Sequence, residues 1–332
     1  MLKSVIVGYG GISRAHKPGY ERLEKEGKVK LVGAYDIDPE AFVVNKKLNI
    51  ALEPSEFDKS LHFYTDLYEM LEKEKPDFVD ICAPTYVHKE LAIKILEAGY
   101  NVLSEKPMAL TAADGEEMIA AAKKNGKHLM IAQCVRFGND IQYVKKIIED
   151  GRYGKPMAAL CTRTSLTPTW GYEQWFSDRE RSGGCLTDMH IHDIDLLRYL
   201  FGEPSAVSSR VAYVKPHESV HTSLFYDGIS ATAIGEWATS SVSFSRGYRI
   251  TFERAVIILG DDLKIYPEDG EPFVPEDYVP ADVYRAEISY FCDVVSGKTE
   301  NLIAPPEDTV KTMRLIEAMR KSADESGKII DF

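Results

Sequence analysis

Through about residue 135, short apolar runs alternate with stretches whose apolar positions recur at helical spacing. "KSVIVGYG" predicts a strand and "SRAHKPGYERLEKEG" a helix made irregular by Pro18. "VKLVGAYDID" predicts a second strand, and "PEAFVVNKKLNI" a helix opened by its proline. After "HFYTDLYEMLEKEKP" come the strand "DFVDICAP", the helix "HKELAIKILEAG", the strand "YNVLSEKP" and the helix "TAADGEEMIAAAKKNG"; "KHLMIAQCV" closes the series. Strands this continuously apolar, alternating with amphipathic helices, predict an α/β domain with a parallel sheet covered on both faces.

The rhythm then changes. One helix, "DIQYVKKIIEDG", leads into closely spaced runs, several of them alternating: "PMAALCTRTS", "AVSSRVAYVK", "VHTSLFYDG", "ISATAIGEWAT" and "YRITFERAVIILG". Hairpin-linked antiparallel strands read this way. Two late helices, "DVYRAEISYFCDVVSG" and "PEDTVKTMRLIEAMRKSADESG", complete an α+β second domain. The boundary falls between residues 132 and 133, giving domains 1–132 and 133–332. No internal repeat or low-complexity linker interrupts either.

A chain of 332 residues has ample interior for two cores. Acidic residues outnumber basic ones, 52 to 40, so nucleic acid and anionic membrane are poor partners for its average surface. Local backbone amides can still hold the phosphates of a single anionic cofactor. Five scattered cysteines without a CxxC pair point to reduced thiols rather than disulfides or a zinc knuckle. "MLKSVIVG" enters a strand pattern at once, without a secretory h-region, and no apolar run is long enough for a bilayer span. A cytoplasmic protein is expected.

The first turn carries the first chemistry. Gly8, Tyr9, Gly10, Gly11, Ile12 and Ser13 stand between a strand and a helix as G-x-G-x-x-S. The first glycine permits a tight turn, the second lets amides approach a pyrophosphate, and the third position needs a small residue for helix packing. Asp36 ends the next strand, where a carboxylate can accept the ribose hydroxyls of adenosine and repel a 2′-phosphate. NAD is therefore favoured, with NADP kept as the alternative.

Glu105, Lys106 and Pro107 fall at the end of the fifth strand, on the side where open α/β sheets bind ligands. A lysine there can hydrogen-bond a substrate hydroxyl and favour its alkoxide. Farther on, "SGGCLTDMHIHDID" predicts a helix starting at Asp188, which places Asp188, His192 and Asp195 along one stripe. A histidine between two carboxylates can shuttle a proton near neutral pH. The same stretch invites a metal reading, but on a helix His190 and His192 diverge by roughly 200°. No metal is expected.

Taken in order, "GYGGISRAH", "YDID", "ICAPTYVH", "EAGYNVLSEKP", "GRYGKP", "GGCLTDMHIHDID" and "LFGEP" resemble the glucose–fructose oxidoreductase / inositol dehydrogenase / MocA (Gfo/Idh/MocA) family from end to end. The resemblance implies a Rossmann domain plus an open, mainly antiparallel sheet whose outer face commonly joins dimers or tetramers. It implies Lys106, Asp188 and His192 as catalytic residues. Gly8, Gly10, Ser13 and Asp36 fall on its cofactor fingerprint, and Ala83, Thr85 and His88 on the loop passing the cofactor, with Glu105 and Lys106 beside them. Arg136 resembles a residue lining the substrate pocket. His190, standing where a small residue is common, is expected to shape that pocket. Trp170 and Tyr172 are aromatic candidates for stacking on a sugar face. The expected reaction is reversible NAD(P)-dependent oxidation of a secondary alcohol on a sugar, cyclitol or related polyol. Alternatives are transient oxidation that drives elimination or glycoside cleavage, a non-catalytic NAD(H) sensor and, last, a metal-dependent hydrolase or isomerase.

Overall fold

The computed structural model describes residues 1–42, 61–239 and 242–332, which form two compact units. Met1–Cys134, Thr169–Ser182 and Asp282–Met313 make the first; Val135–Pro168, Gly183–Ala281 and Arg314–Phe332 make the second. Two segments from the carboxy-terminal 200 residues thus pack with the amino-terminal strands.

In the first unit six strands, β1 (Leu2–Val7), β2 (Val29–Tyr35), β3 (His62–Tyr64), β4 (Phe78–Ile81), β5 (Asn101–Glu105) and β6 (Leu129–Ala132), form one sheet. Their order is β3-β2-β1-β4-β5-β6 and every pairing is parallel. Val5, Ile6, Val79, Ile81, Val102 and Leu103 have no exposed surface, which is why these strands read as unbroken apolar runs. The strand order reverses between β1 and β4, and crevices beyond the carboxyl ends of strands at such a reversal are where ligands bind.

Helices Gly11–Lys25, Leu67–Glu74, His88–Glu97, Ala112–Asn125 and Val283–Val295 belong to this unit. Asp66, Thr111 and Asp282 accept hydrogen bonds from the first-turn amides of three of them. The first helix runs through Pro18. Of the helix expected over "PEAFVVNKKLNI", Pro39–Phe42 is a short 3-10 turn and the remainder lies outside the described residues. Val283–Val295 joins the unit because its face of Ile288, Phe291, Cys292 and Val294 is apolar and buried. Phe291 meets Phe78 edge-on, with ring centroids 5.2 Å apart.

The second unit holds an eight-stranded sheet: β7 (Pro156–Leu166), β8 (Ala206–Val214), β9 (His217–Tyr226), β10 (Ile229–Ala238), β11 (Ser245–Phe252), β12 (Ala255–Leu259), β13 (Leu263–Pro267) and β14 (Ile330–Asp331). The order is β13-β12-β11-β7-β10-β9-β8-β14; β7 and β10 pair in parallel and every other pairing is antiparallel. The expected run "YRITFERAVIILG" is two strands, β11 and β12, turning at Glu253 and Arg254. Burial alternates as one covered face requires: Ala159, Cys161, Arg163 and Ser165 on β7 are buried, while Leu160, Thr162 and Thr164 between them are not. Helices Asn139–Asp150 and Ile191–Phe201 also lie in this unit. The latter is tied by two buried bidentate ion pairs, Arg163 to Asp193 at 2.9 and 3.0 Å and Arg136 to Asp195 at 2.7 Å twice.

Candidate active site

The turn after β1 is built for a close backbone approach. Gly8 has φ +90°, and a Cβ added to it would lie 2.6 Å from the Ala83 backbone beyond β4. Around Gly10 the space is open within 4 Å. Gly10 is also the N-cap of Gly11–Lys25, makes no side-chain capping bond there, and no acidic residue occupies the helix's first turn. Amides thus remain for an anion, and the helix dipole favours one. Ser13 is fully buried and its hydroxyl donates to the Gly10 carbonyl at 2.8 Å, so the third position is filled compactly. At the end of β2, the Asp36 carboxylate accepts from the Tyr9 amide at 2.8 Å and the Asp38 amide at 2.9 Å, which fixes it beside the turn. A glycine cradle, an uncapped helix start and an anchored carboxylate fit a dinucleotide.

The next loops are braced from within. Thr85 is buried in the short turn Thr85–Val87. His88 has Nδ1 at 2.8 Å from the Pro107 carbonyl and Nε2 at 2.8 Å from the Ala83 carbonyl. Burial lowers its pKa, against the pull of the two carbonyls, which raise it. His88 therefore ties the loop after β4 to the loop after β5. Glu105 is buried at the end of β5, and its Oε2 accepts the Lys106 backbone N–H at 3.0 Å. Within 102–109, Lys106 alone keeps partial exposure.

In the second unit, the predicted helix from Asp188 is two pieces. Gly184–Asp188 ends at Asp188, and Ile191–Phe201 begins after a break at Met189 and His190. The expected stripe of Asp188, His192 and Asp195 is corrected accordingly, because both Asp195 oxygens are taken by Arg136. Arg136, expected to line a pocket, is 1% exposed and serves this buried pair. His190 is corrected likewise. It is fully buried, with Nε2 at 3.0 Å from the Thr222 hydroxyl and its ring against Gly235, and burial pushes its pKa down to about 4. Across 183–198, Asp188 and His192 are the two residues that keep partial exposure.

Trp170 and Tyr172 sit in Thr169–Ser182, which packs with the first unit. Trp170 lies 5.7 Å from the Phe176 ring, which stacks on Trp175 at 4.0 Å, and Tyr172 is exposed. Arg181 donates to the Tyr86 hydroxyl at 2.7 Å in the same segment's surroundings. The structure also shows a cluster that sequence reasoning missed: among the described residues, the groups compact enough to hold a cation are His16 with Asp80 and Cys82, and His16 with Glu105 and Glu287. Neither draws on "DMHIHDID". The available signal was His16 on the inward face of the first helix, between Ser13 and Tyr20.

Comparison with protein families matches residues 2–133 to the oxidoreductase family with an NAD-binding Rossmann fold. It matches residues 141–264 to the GFO/IDH/MocA C-terminal domain. The chain belongs to the Gfo/Idh/MocA oxidoreductase family. Among curated relatives, a 2,7-anhydro-N-acetylneuraminate hydratase of Mediterraneibacter gnavus is 36% identical over 42% of this chain, and the match spans only 37% of that protein. A D-apiose dehydrogenase of Paraburkholderia graminis is 26% identical over 99% of this chain and 89% of its own length. The solved structure of an aldose-aldose oxidoreductase from Caulobacter crescentus, 23% identical, superposes with a TM-score of 0.83 over 100% of this chain and 99% of that one. That likeness bears on the fold. Among the described residues, no helix is long and apolar enough to cross a membrane.

In this Gfo/Idh/MocA chain the Gly8 cradle gives a direct test of the NAD site. Gly8→Ala forces both a strained φ and a collision with the Ala83 backbone at 2.6 Å. NAD affinity, measured by fluorescence titration, is expected to fall more than about tenfold while the second unit keeps its stability.

Proposed function

We propose that this protein is an NAD-dependent dehydrogenase that oxidises a secondary alcohol of a sugar, cyclitol or related polyol reversibly. The observation that carries the reading is one of exposure. Lys106 in its run, and Asp188 and His192 in theirs, are the polar side chains that reach the surface from otherwise buried sequence.

When bound, the nicotinamide supplies the acceptor for the substrate's hydride. The chain does the rest. Gly8, Gly10 and the start of helix Gly11–Lys25 hold the phosphates, and Asp36 holds the ribose and disfavours NADP. Ala83, Thr85 and His88 shape the loop alongside. Lys106 offers an ammonium to the hydroxyl oxygen as it gains alkoxide character. His192 takes the hydroxyl proton, and Asp188 orients the imidazole or a neighbouring hydroxyl. Trp170 and Tyr172 contribute apolar rings for a sugar face, and Arg136 and His190 act from behind by fixing helix Ile191–Phe201. Assembly as a homodimer or homotetramer through the open face of the second sheet belongs to the same reading.

The test is a panel of myo-inositol, D-apiose, methyl glucoside and levoglucosan, each with NAD or NADP, followed by nicotinamide absorbance. Reduction of NAD by at least one compound supports the reading. Inertness of all four, with no product on chromatographic analysis, counts against it. The hydratase relative favours a second reading, in which oxidation is transient and drives elimination. In that case product forms without net absorbance change.

A further inference from the structure

The first unit holds a buried charged cluster that the proposed reaction leaves unused. His16 has no exposed surface. Its Nδ1 lies 2.8 Å from Asp80 Oδ2 on β4, and its Nε2 lies 2.9 Å from Glu105 Oε1 on β5. Carboxylates only accept, so both ring nitrogens donate. Burial alone would lower the His16 pKa, but the charge and hydrogen bond of Asp80 outweigh it and raise it well above the usual range. The Tyr20 hydroxyl donates to the same Asp80 oxygen at 2.9 Å and lies 3.1 Å from the Ser4 hydroxyl. Tyr284 flanks the imidazole, ring centroids 5.3 Å apart.

A third carboxyl faces the ring. Glu287 Oε1 is 3.8 Å from His16 Nε2, and among the described residues neither Glu287 oxygen has a hydrogen-bond partner. Burial pushes its pKa well above the ordinary range, so it stays neutral while Asp80 and Glu105 share the cation.

The geometry has a direction. Glu105 spends Oε1 on His16 and Oε2 on the backbone N–H of Lys106. A carboxylate gripped at one oxygen cannot rotate, so its other oxygen is fixed as well. We propose that His16, clamped between Asp80 and Glu105, is a positioning residue for Lys106, acting through the Glu105 carboxylate. The catalytic part rests on Lys106 serving the reaction proposed above; the positioning part does not.

The experiment uses the full chain with His16→Leu, which removes both donors, and His16→Gln, which keeps an N–H to offer Glu105. Residue-resolved amide exchange is expected to speed up about tenfold or more at Lys106 in His16→Leu and less in His16→Gln, with helix Ala112–Asn125 unchanged. Turnover of the panel compound oxidised fastest is expected to fall roughly tenfold to a hundredfold in His16→Leu and to recover partly in His16→Gln. KM and NAD affinity stay within about twofold, and the primary deuterium isotope effect on kcat rises. A merely structural role lowers the active fraction without moving that isotope effect.

Unchanged exchange at Lys106 in His16→Leu overturns the proposal whatever the protein catalyses. So does uniform acceleration across the first unit, or a stoichiometric metal ion that the wild type carries and His16→Leu loses. Wild-type turnover in Lys106→Ala sinks the dehydrogenase role of Lys106 instead, and leaves the exchange result to stand alone.

Discussion

Lys106→Ala is expected to lower kcat by ~10²–10⁴-fold while NAD binds with nearly wild-type affinity. The asymmetry follows from what each group holds. On the proposed reading the cofactor's anionic part would meet the Gly8–Gly10 turn and the start of helix Gly11–Lys25, whose amides are untouched by the substitution. The Lys106 ammonium counts only as charge develops on the substrate oxygen, so its removal appears in kcat rather than in cofactor binding. His192→Ala is expected to behave alike, because a lost proton acceptor is also a loss confined to the reacting state. Stopped-flow turnover beside fluorescence titration of NAD measures both halves. If both variants oxidise the substrate at wild-type rate, the assignment of these residues is wrong.

Arg136→Ala is expected to cost the second unit about 3–5 kcal/mol, because it strands Asp195 as a buried charge. Arg136 and Asp195 are each about 1% exposed and make two hydrogen bonds of 2.7 Å to one another. The Arg136 guanidinium also lies over the Tyr199 ring at 4.9 Å, so truncation removes packing as well as charge. A fall in Tm of roughly 10 °C by calorimetry is the corresponding reading for a unit of this size. Arg136→Met combined with Asp195→Leu is expected to regain most of that loss, since an apolar pair of similar volume avoids the desolvation of two ions. A double variant as unstable as Arg136→Ala contradicts this account of the pair.

Some of this was legible in the chain and some was not, for physical reasons. β1, β4 and β5 are covered on both faces, so their apolar runs announce parallel strands, and glycines at 8 and 10 mark the turn from β1 into helix Gly11–Lys25. Lys106 was legible through its place at a strand end. Arg136 was not, because a pair with Asp195 joins residues far apart in sequence and leaves no periodic trace. The same holds for His16, whose partners Asp80, Glu105 and Glu287 come from three other elements. At Asp188 one continuous helix was expected, but two short ones form: Met189 and His190 keep right-handed φ/ψ while the regular hydrogen-bond ladder lapses, and His190 turns inward to Thr222. Membership of 169–182 and 282–313 in the first unit depends on which apolar faces meet, and local sequence does not encode that choice.

The lone parallel pairing in the second sheet has a consequence for synthesis. β7 leaves the ribosome well before either neighbour, since β10 and β11 follow only after β8 and β9 have closed their hairpin. Until residue 238 is made, β7 offers bare backbone on both sides, and until residue 252 on the side that β11 will cover, an adhesive ribbon for any other extended chain. Shortened versions that stop before that point therefore forfeit solubility even though every residue of the nucleotide-binding sheet is already present.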